Sequence, residues 1–156
     1  SQIVLNGRIV NDSMGRFVAD AAIKNMIAVG QSPKKSKVVI LGLTFKENCP
    51  DTRNSKVDDI IKRLNEFEIY PVIVDPWANE SDAMHEYGVT LTKLENIKGA
   101  DCIIVAVAHN EFKALKLDDI KKLYRECADK EKVLLDVKGI YKVEELNKSG
   151  IKYWRL

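Results

Sequence analysis

Two rhythms of apolar residues divide the chain near Lys37. Before it, Val10, Met14, Phe17, Val18, Ala21, Ala22, Met26 and Val29 recur at steps of three and four, which predicts one long amphipathic helix over residues 3–30. Gly30 ends that pattern and Gln31-Ser32-Pro33 closes it. Asn11-Asp12-Ser13 offers a second start inside the stretch, which would leave the first ten residues as a separate turn. A helix of this kind ahead of a globular part is a domain connector or an oligomer seam.

After Lys37, short apolar runs alternate with amphipathic stretches. The runs are Val38–Leu41, Val72–Val74, Cys102–Val105 and Val133–Leu135, with weaker ones at Val89–Leu91 and Ile151–Tyr153. Uninterrupted apolar strands belong to a sheet buried on both faces. Helices are predicted between them at about 55–67, 79–86, 93–98, 111–126 and 142–148. Strands alternating with helices imply right-handed crossovers and a parallel sheet. The fold class is therefore a Rossmann-like three-layer α/β/α domain over residues 33–156, preceded by the long helix within 1–32.

Composition narrows the partners. The 156 residues are 46% hydrophobic and 31% charged, as in an ordinary globular domain, and a net charge of +2 gives no electrostatic case for nucleic acid. No apolar run approaches the roughly 20 residues needed to span a bilayer, and the start does not read as a signal peptide. Cys49, Cys102 and Cys127 are odd in number and widely spaced, which argues against a disulfide framework or a zinc site. The expectation is a cytoplasmic protein with reduced thiols, no metal and no membrane partner. Without an initiator Met, and with a helical pattern from the first residues, the chain is expected to be a piece of something longer.

In a parallel sheet, ligands sit beyond the carboxyl ends of the strands. That rule selects Gly42 to Arg53, Asp75-Pro76, Ala108-His109, and Asp136 to Tyr141. A dinucleotide fingerprint would need glycines at 42, 44 and 47; Thr44 and Glu47 break it, and the loop fails as a P-loop too. What the loop offers is two cations, Lys46 and Arg53, beside a helix start that Asp51, Asn54 or Ser55 can cap. Cations near free helix amides form an anion site, and Arg can grip phosphate with two parallel bonds. The competing reading is a solvated Lys46 and an Arg53 paired with Asp51 or Glu47.

The segment matches G-x-x-F-K-x-x-x-x-D-x-R-x-S at Gly42, Phe45, Lys46, Asp51, Arg53 and Ser55. In this it closely resembles the UDP-glucose/GDP-mannose dehydrogenase family. Gly7-Arg8 with Asn11 to Met14, Asp75-Pro76, and Asp136-Val137-Lys138-Gly139 resemble further segments of the same family. Phe45 to Asp51 and the ending Tyr153 to Leu156 look like the members that oxidise UDP-N-acetylhexosamines for surface polysaccharides. The resemblance implies the C-terminal, UDP-sugar-binding part of an NAD-dependent 6-dehydrogenase, with part of the central dimer helix. It also implies a homodimer, and an N-terminal domain that holds NAD. By resemblance, Phe45 and Lys46 contact the UDP-sugar, Arg53 reaches NAD, and Lys138 is a candidate UDP contact. Arg8 and Asn11 either face the substrate from the connecting helix or, for Asn11, cap it.

The family's reaction passes through a thioester on a cysteine in G-G-x-C-x-P-x-D, and no such segment is present. No catalytic residue is therefore expected in this chain. Cys49, with cations nearby, is a candidate for oxidation rather than catalysis. Cys102 is expected at the start of a buried strand, and Cys127 at a helix end. Asp75 fits a turn or cap better than a ribose site, and His109 a helix cap better than a ligand contact. His85 is expected in solvent, and Trp77 and Trp154 in the core or an interface. The alternative to an enzyme part is a stand-alone nucleotide-binding or dimerisation module. A glycine fingerprint and a thioester segment in the upstream sequence would decide for the enzyme. A methyltransferase-like enzyme would need a constellation that is not found.

Overall fold

A computed structural model describes the backbone of residues 2–156 and the side chains of residues 14–156. The first helix, α1 (Gln2–Ala28), is continuous, with no break at Asn11. Five strands follow: β1 (Val38–Leu41), β2 (Val72–Val74), β3 (Cys102–Val105), β4 (Val133–Asp136) and β5 (Lys152–Arg155). All pair in parallel, in the order β2-β1-β3-β4-β5. The connecting helices are α2 (Val57–Glu66), α3 (Glu80–Tyr87), α4 (Asn110–Lys113), α5 (Leu117–Lys121) and α6 (Val143–Ser149).

Strand periodicity sorts the side chains into two cores. Val38, Ile40, Ile73, Ile104 and Leu135 point to the face covered by α1, α2 and α3, where Val18, Ala22, Met26, Ile60 and Leu64 meet them. Val39, Leu41, Val74, Ile103 and Leu134 point to the other face, against Phe112, Ile120, Tyr124 and Leu146. The described part of α1 is thus integral to the domain core. Gly15 marks its crossing with α2, since a Cβ there would meet the Asp59 Cβ at 2.5 Å. At its end, Gln31 Nε2 donates to the carbonyls of Asp101 and Glu131, at 3.1 and 3.0 Å. Among the described residues, no helix is long and apolar enough to cross a membrane.

Three expected elements differ. The 111–126 helix is split into α4 and α5, because Asp119 Oδ2 caps the Lys116 amide at 2.9 Å and starts a new helix. Tyr124 then makes a bridge to Ala100, and Cys127 sits in a bend rather than at a helix end. The Val89–Leu91 run contributes one bridge, Leu91 to Ile73, instead of a strand, because Gly88 (φ +66) and the exposed Thr90 interrupt it. The 93–98 stretch is only a 3-10 turn over Leu94–Asn96. The weaker Ile151–Tyr153 run, by contrast, is the edge strand β5.

Candidate functional site

Strand β1 is followed spatially by β2 on one side and β3 on the other, so the sheet's switch point lies between β1 and β3. Gly42 lets the two strand exits approach there. It holds φ at +109, and an added Cβ would stand 2.5 Å from the Val107 Cβ. The amides of Ala106 and Val107 both reach back to the Leu41 carbonyl, at 2.9 and 3.3 Å.

Beyond the strand ends opens a cleft of about 590 Å³. Its walls come from three segments. The β1 turn gives Thr44 to Glu47 and, at the α2 start, Lys56 and Val57. The β3 exit gives Ala106 to Ala108, with Lys113 from α4. The β4 exit gives Lys138 to Ile140. Phe45, Lys46 and Lys138 therefore share one cleft, as three of the expected ligand contacts. Arg53 does not line it. The second half of its loop docks on α3, where Thr52 Oγ1 donates to Glu86 at 2.8 Å and the Tyr87 hydroxyl accepts from the Ser55 amide at 3.0 Å. Arg53 itself grips Asp51 with two bonds, Nε–Oδ1 at 3.1 Å and Nη2–Oδ2 at 3.2 Å. The carboxyl of Asp51 is held below its ordinary range by those bonds. Lys46 and Arg53 thus do not form a joint anion site in this cleft. Arg8 and Asn11 lie outside the residues whose side chains are described.

The cleft is cationic. Lys46, Lys56, Lys113 and Lys138 face a single carboxylate, Glu47. Glu47 pairs with Lys113 at 3.0 Å. Its carboxyl lies below the usual range, first through the Lys113 hydrogen bond and charge, then through Lys138. Among the described residues, no ion pair occupies Lys46, Lys56 or Lys138. The α2 N-terminus opens onto the same space, adding the positive end of its dipole. Phe45 stands 51% exposed at the rim.

Lys56 and Lys113 were not anticipated from sequence. Lys56 directly follows the motif serine, and Lys113 stands one helical turn after His109. His109 differs from both of its expected roles. It lies at the α4 start but makes no side-chain cap, and it is wholly buried rather than open to ligand. Asp75 is the expected turn residue. Its Oδ2 accepts from the amides of Leu43 and Thr44 at 2.6 and 3.0 Å, and its Oδ1 from those of Trp77 and Ala78 at 2.8 and 3.1 Å. Ser55 Oγ accepts from the Val57 amide at 3.2 Å, as a cap would. Cys49 is half-buried and outside the cleft, and Cys102 is buried, which pushes its thiol far up. His85 is exposed. Trp77 packs on His109, and Trp154 on Phe17 with a ring separation of 5.7 Å.

A doubly wound parallel sheet with a lysine-lined cleft at its switch point places the chain among Rossmann-like α/β domains, whose ligands gather at that rim. Residues 39–143 match the model of the UDP-glucose/GDP-mannose dehydrogenase family, UDP binding domain, and the chain belongs to that family. It is 44% identical over 137 residues to the UDP-N-acetyl-D-glucosamine 6-dehydrogenase of Pseudomonas aeruginosa, covering 88% of this chain and 32% of that protein. With the enzyme of the same description from Salmonella typhi, identity is 38% over 144 residues, covering 92% and 33%. The solved NDP-N-acetyl-D-galactosaminuronic acid dehydrogenase of Methanosarcina mazei Go1 shares the fold. Its TM-score is 0.86 at 24% identity, over 99% of this chain and 31% of that one. The chain spans about a third of the length of the relatives it matches.

Proposed function

We propose that this chain is the sugar-nucleotide half of an NAD-dependent UDP-N-acetylhexosamine 6-dehydrogenase, and that it holds the UDP moiety in the Lys46–Lys138 cleft. The observation that carries the reading is one cleft at the switch point with three lysines that, among the described residues, no carboxylate occupies. A diphosphate entering it breaks no existing ion pair at Lys46, Lys56 or Lys138, so attraction is not spent on displacing an acid. The rim ring of Phe45 offers a flat apolar surface to a base or a sugar. Relatives at 44% and 38% identity are UDP-N-acetylglucosamine 6-dehydrogenases, which supports an N-acetylhexosamine as the sugar.

Oxidation of the C6 alcohol is assigned to the rest of such an enzyme. This chain has no G-x-G-x-x-G and no G-G-x-C-x-P-x-D segment. The turn after β1 does not fit a dinucleotide pyrophosphate either, because Thr44 is buried in the Asp75 network where a glycine would be needed. Arg53 is exposed on the α3 side, and is proposed to meet NAD held by the N-terminal domain of the whole protein. The isolated chain then binds without turnover. Met14 and Phe17, exposed on α1, support the homodimer proposed for the complete enzyme.

Isothermal titration with UDP tests the site. Lys46→Ala is expected to cost about 1.5–3 kcal/mol, the usual range for a hydrogen bond to a charged group, or roughly 10- to 150-fold in affinity. Equal affinity of Lys46→Ala and the parent chain would remove the UDP assignment.

A further inference from the structure

The imidazole of His109 and the carboxylate of Asp75 are both fully buried, and neither lines the cleft. His109 Nδ1 lies 2.9 Å from the Asn48 amide nitrogen, a group that can only donate. Nδ1 is therefore the acceptor, and the ring proton sits on Nε2. That proton faces Asp75 Oδ2 at 2.9 Å and Thr44 Oγ1 at 3.1 Å. The Thr44 hydroxyl gives its own proton to the Lys46 carbonyl at 3.1 Å. With Nδ1 taken by an amide, the ring has no lone pair left for Thr44, so a general-base role is excluded.

What the ring closes is a turn. Between Thr44 and Asn48 lie Phe45, Lys46 and Glu47, all three lining the cleft. One end of this stretch is pinned by the Thr44 amide on Asp75, the other by the Asn48 amide on His109. Asn48 Oδ1 further accepts from the Asn110 amide at 2.9 Å. Asn48 holds φ at +53, in the left-handed region that asparagine adopts more readily than most side chains.

We propose that His109 is a positioning residue for the ligand cleft: its neutral ring, oriented by Asp75, clamps Thr44 and Asn48 and so sets where Lys46 meets the ligand's phosphates. The proposal rests on the reading of the cleft as a diphosphate site. Protonation of Nδ1 would put a donor against the Asn48 N–H and open the clamp. The charged groups around the ring are Asp75 from the end of β2, Glu47 from the β1 turn, itself paired with Lys113 of α4, and Glu111 of α4 through the Trp77 indole it accepts from at 2.9 Å. Asp75 already takes four backbone amides, so it stays anionic without requiring a cationic partner.

The test measures affinity for a UDP-N-acetylhexosamine. Its diphosphate is esterified at both ends and lacks the terminal phosphate ionisation near pH 6, so the ligand's charge is fixed in the assay. Wild type, K46A, H109L, H109N and K46A/H109L are compared at pH 8. H109L leaves the Asn48 amide without its acceptor, and affinity is expected to fall about 5- to 150-fold. H109N, whose Oδ1 falls where Nδ1 stood, recovers most of that loss. In the K46A background H109L adds nothing, because both act on one contact. If K46A binds as tightly as wild type, the cleft reading itself fails. If K46A weakens binding while H109L is neutral or simply additive, only the positioning role is overturned. Should H109L not fold, H109N decides: its Oδ1 keeps an acceptor for the Asn48 amide, and a loss of affinity as large as that of K46A overturns the proposal.

Discussion

Asp75→Ala is expected to remove at least about 3 kcal/mol of stability, the scale of leaving several buried donors unsatisfied. For a domain of this length that lowers the melting temperature by roughly 6–12 °C. The carboxylate accepts four amides from two segments and faces the His109 ring, all from a fully buried position. Asp75→Asn keeps the shape but turns one acceptor oxygen into a donor, so it should destabilise in the same direction, by less. Burial acts to raise the Asp75 pKa, but the bonds from His109 and from the Leu43 and Thr44 amides outweigh it, and the net shift is downward. A depressed native pKa means that the stabilisation is complete above the unfolded carboxyl's value of about 3.9 and is lost as pH falls through the lower native value. Thermal melts followed by circular dichroism should therefore show the gap between wild type and Asp75→Asn at pH 7 and a narrowing gap below about pH 4. A gap constant down to pH 2 would mean that the carboxylate's bonds do not stabilise the fold.

Gly42→Ala is expected to cost about 3–5 kcal/mol, combining backbone strain with overpacking. A φ of +109 is costly for any residue with a Cβ, and the new methyl would lie 2.5 Å from the Val107 Cβ and 2.8 Å from the Val107 nitrogen. Trimming Val107 to alanine leaves both of those atoms in place, so Val107→Ala should not rescue it. The site should suffer as well, because the clash wedges apart the β1 and β3 exits that form two walls of the cleft. Denaturant unfolding checks the prediction; a Gly42→Ala chain within about 1 kcal/mol of the parent would contradict this approach of the two strands.

The parallel sheet was legible because its four buried strands each carry a signature, an unbroken apolar run, and the crossovers carry a helical period; the edge strand β5, Lys152–Arg155, shows only the weaker Ile151–Tyr153 run. The same one-dimensional signal failed where a local polar bond won. Asp119 restarts the helix at Lys116, and nothing in the apolar spacing of residues 111–126 records that break. The Val89–Leu91 run has strand residues but no neighbouring strand to pair with beyond Ile73. On the site, the rule that ligands gather at strand ends selected the segments Gly42 to Arg53 and Asp136 to Tyr141, and the family resemblance singled out Phe45, Lys46 and Lys138 within them.

Local pattern, then, determined the elements, their alternation and the rim on which chemistry had to lie, because propensity and periodicity act over a few neighbouring residues. Which cations share a cleft was decided only in three dimensions. Lys46 and Arg53 stand seven residues apart in one loop, yet the Thr52 and Ser55 contacts with α3 carry Arg53 away from the cleft. Lys138, from a strand exit far along the chain, joins Lys46 instead. His109 likewise became a buried clamp only when folding brought Asp75, Thr44 and Asn48 to its two nitrogens. A side chain's charge is written in the sequence; what neutralises it, buries it or leaves it open to a ligand depends on residues that only the packed chain makes neighbours.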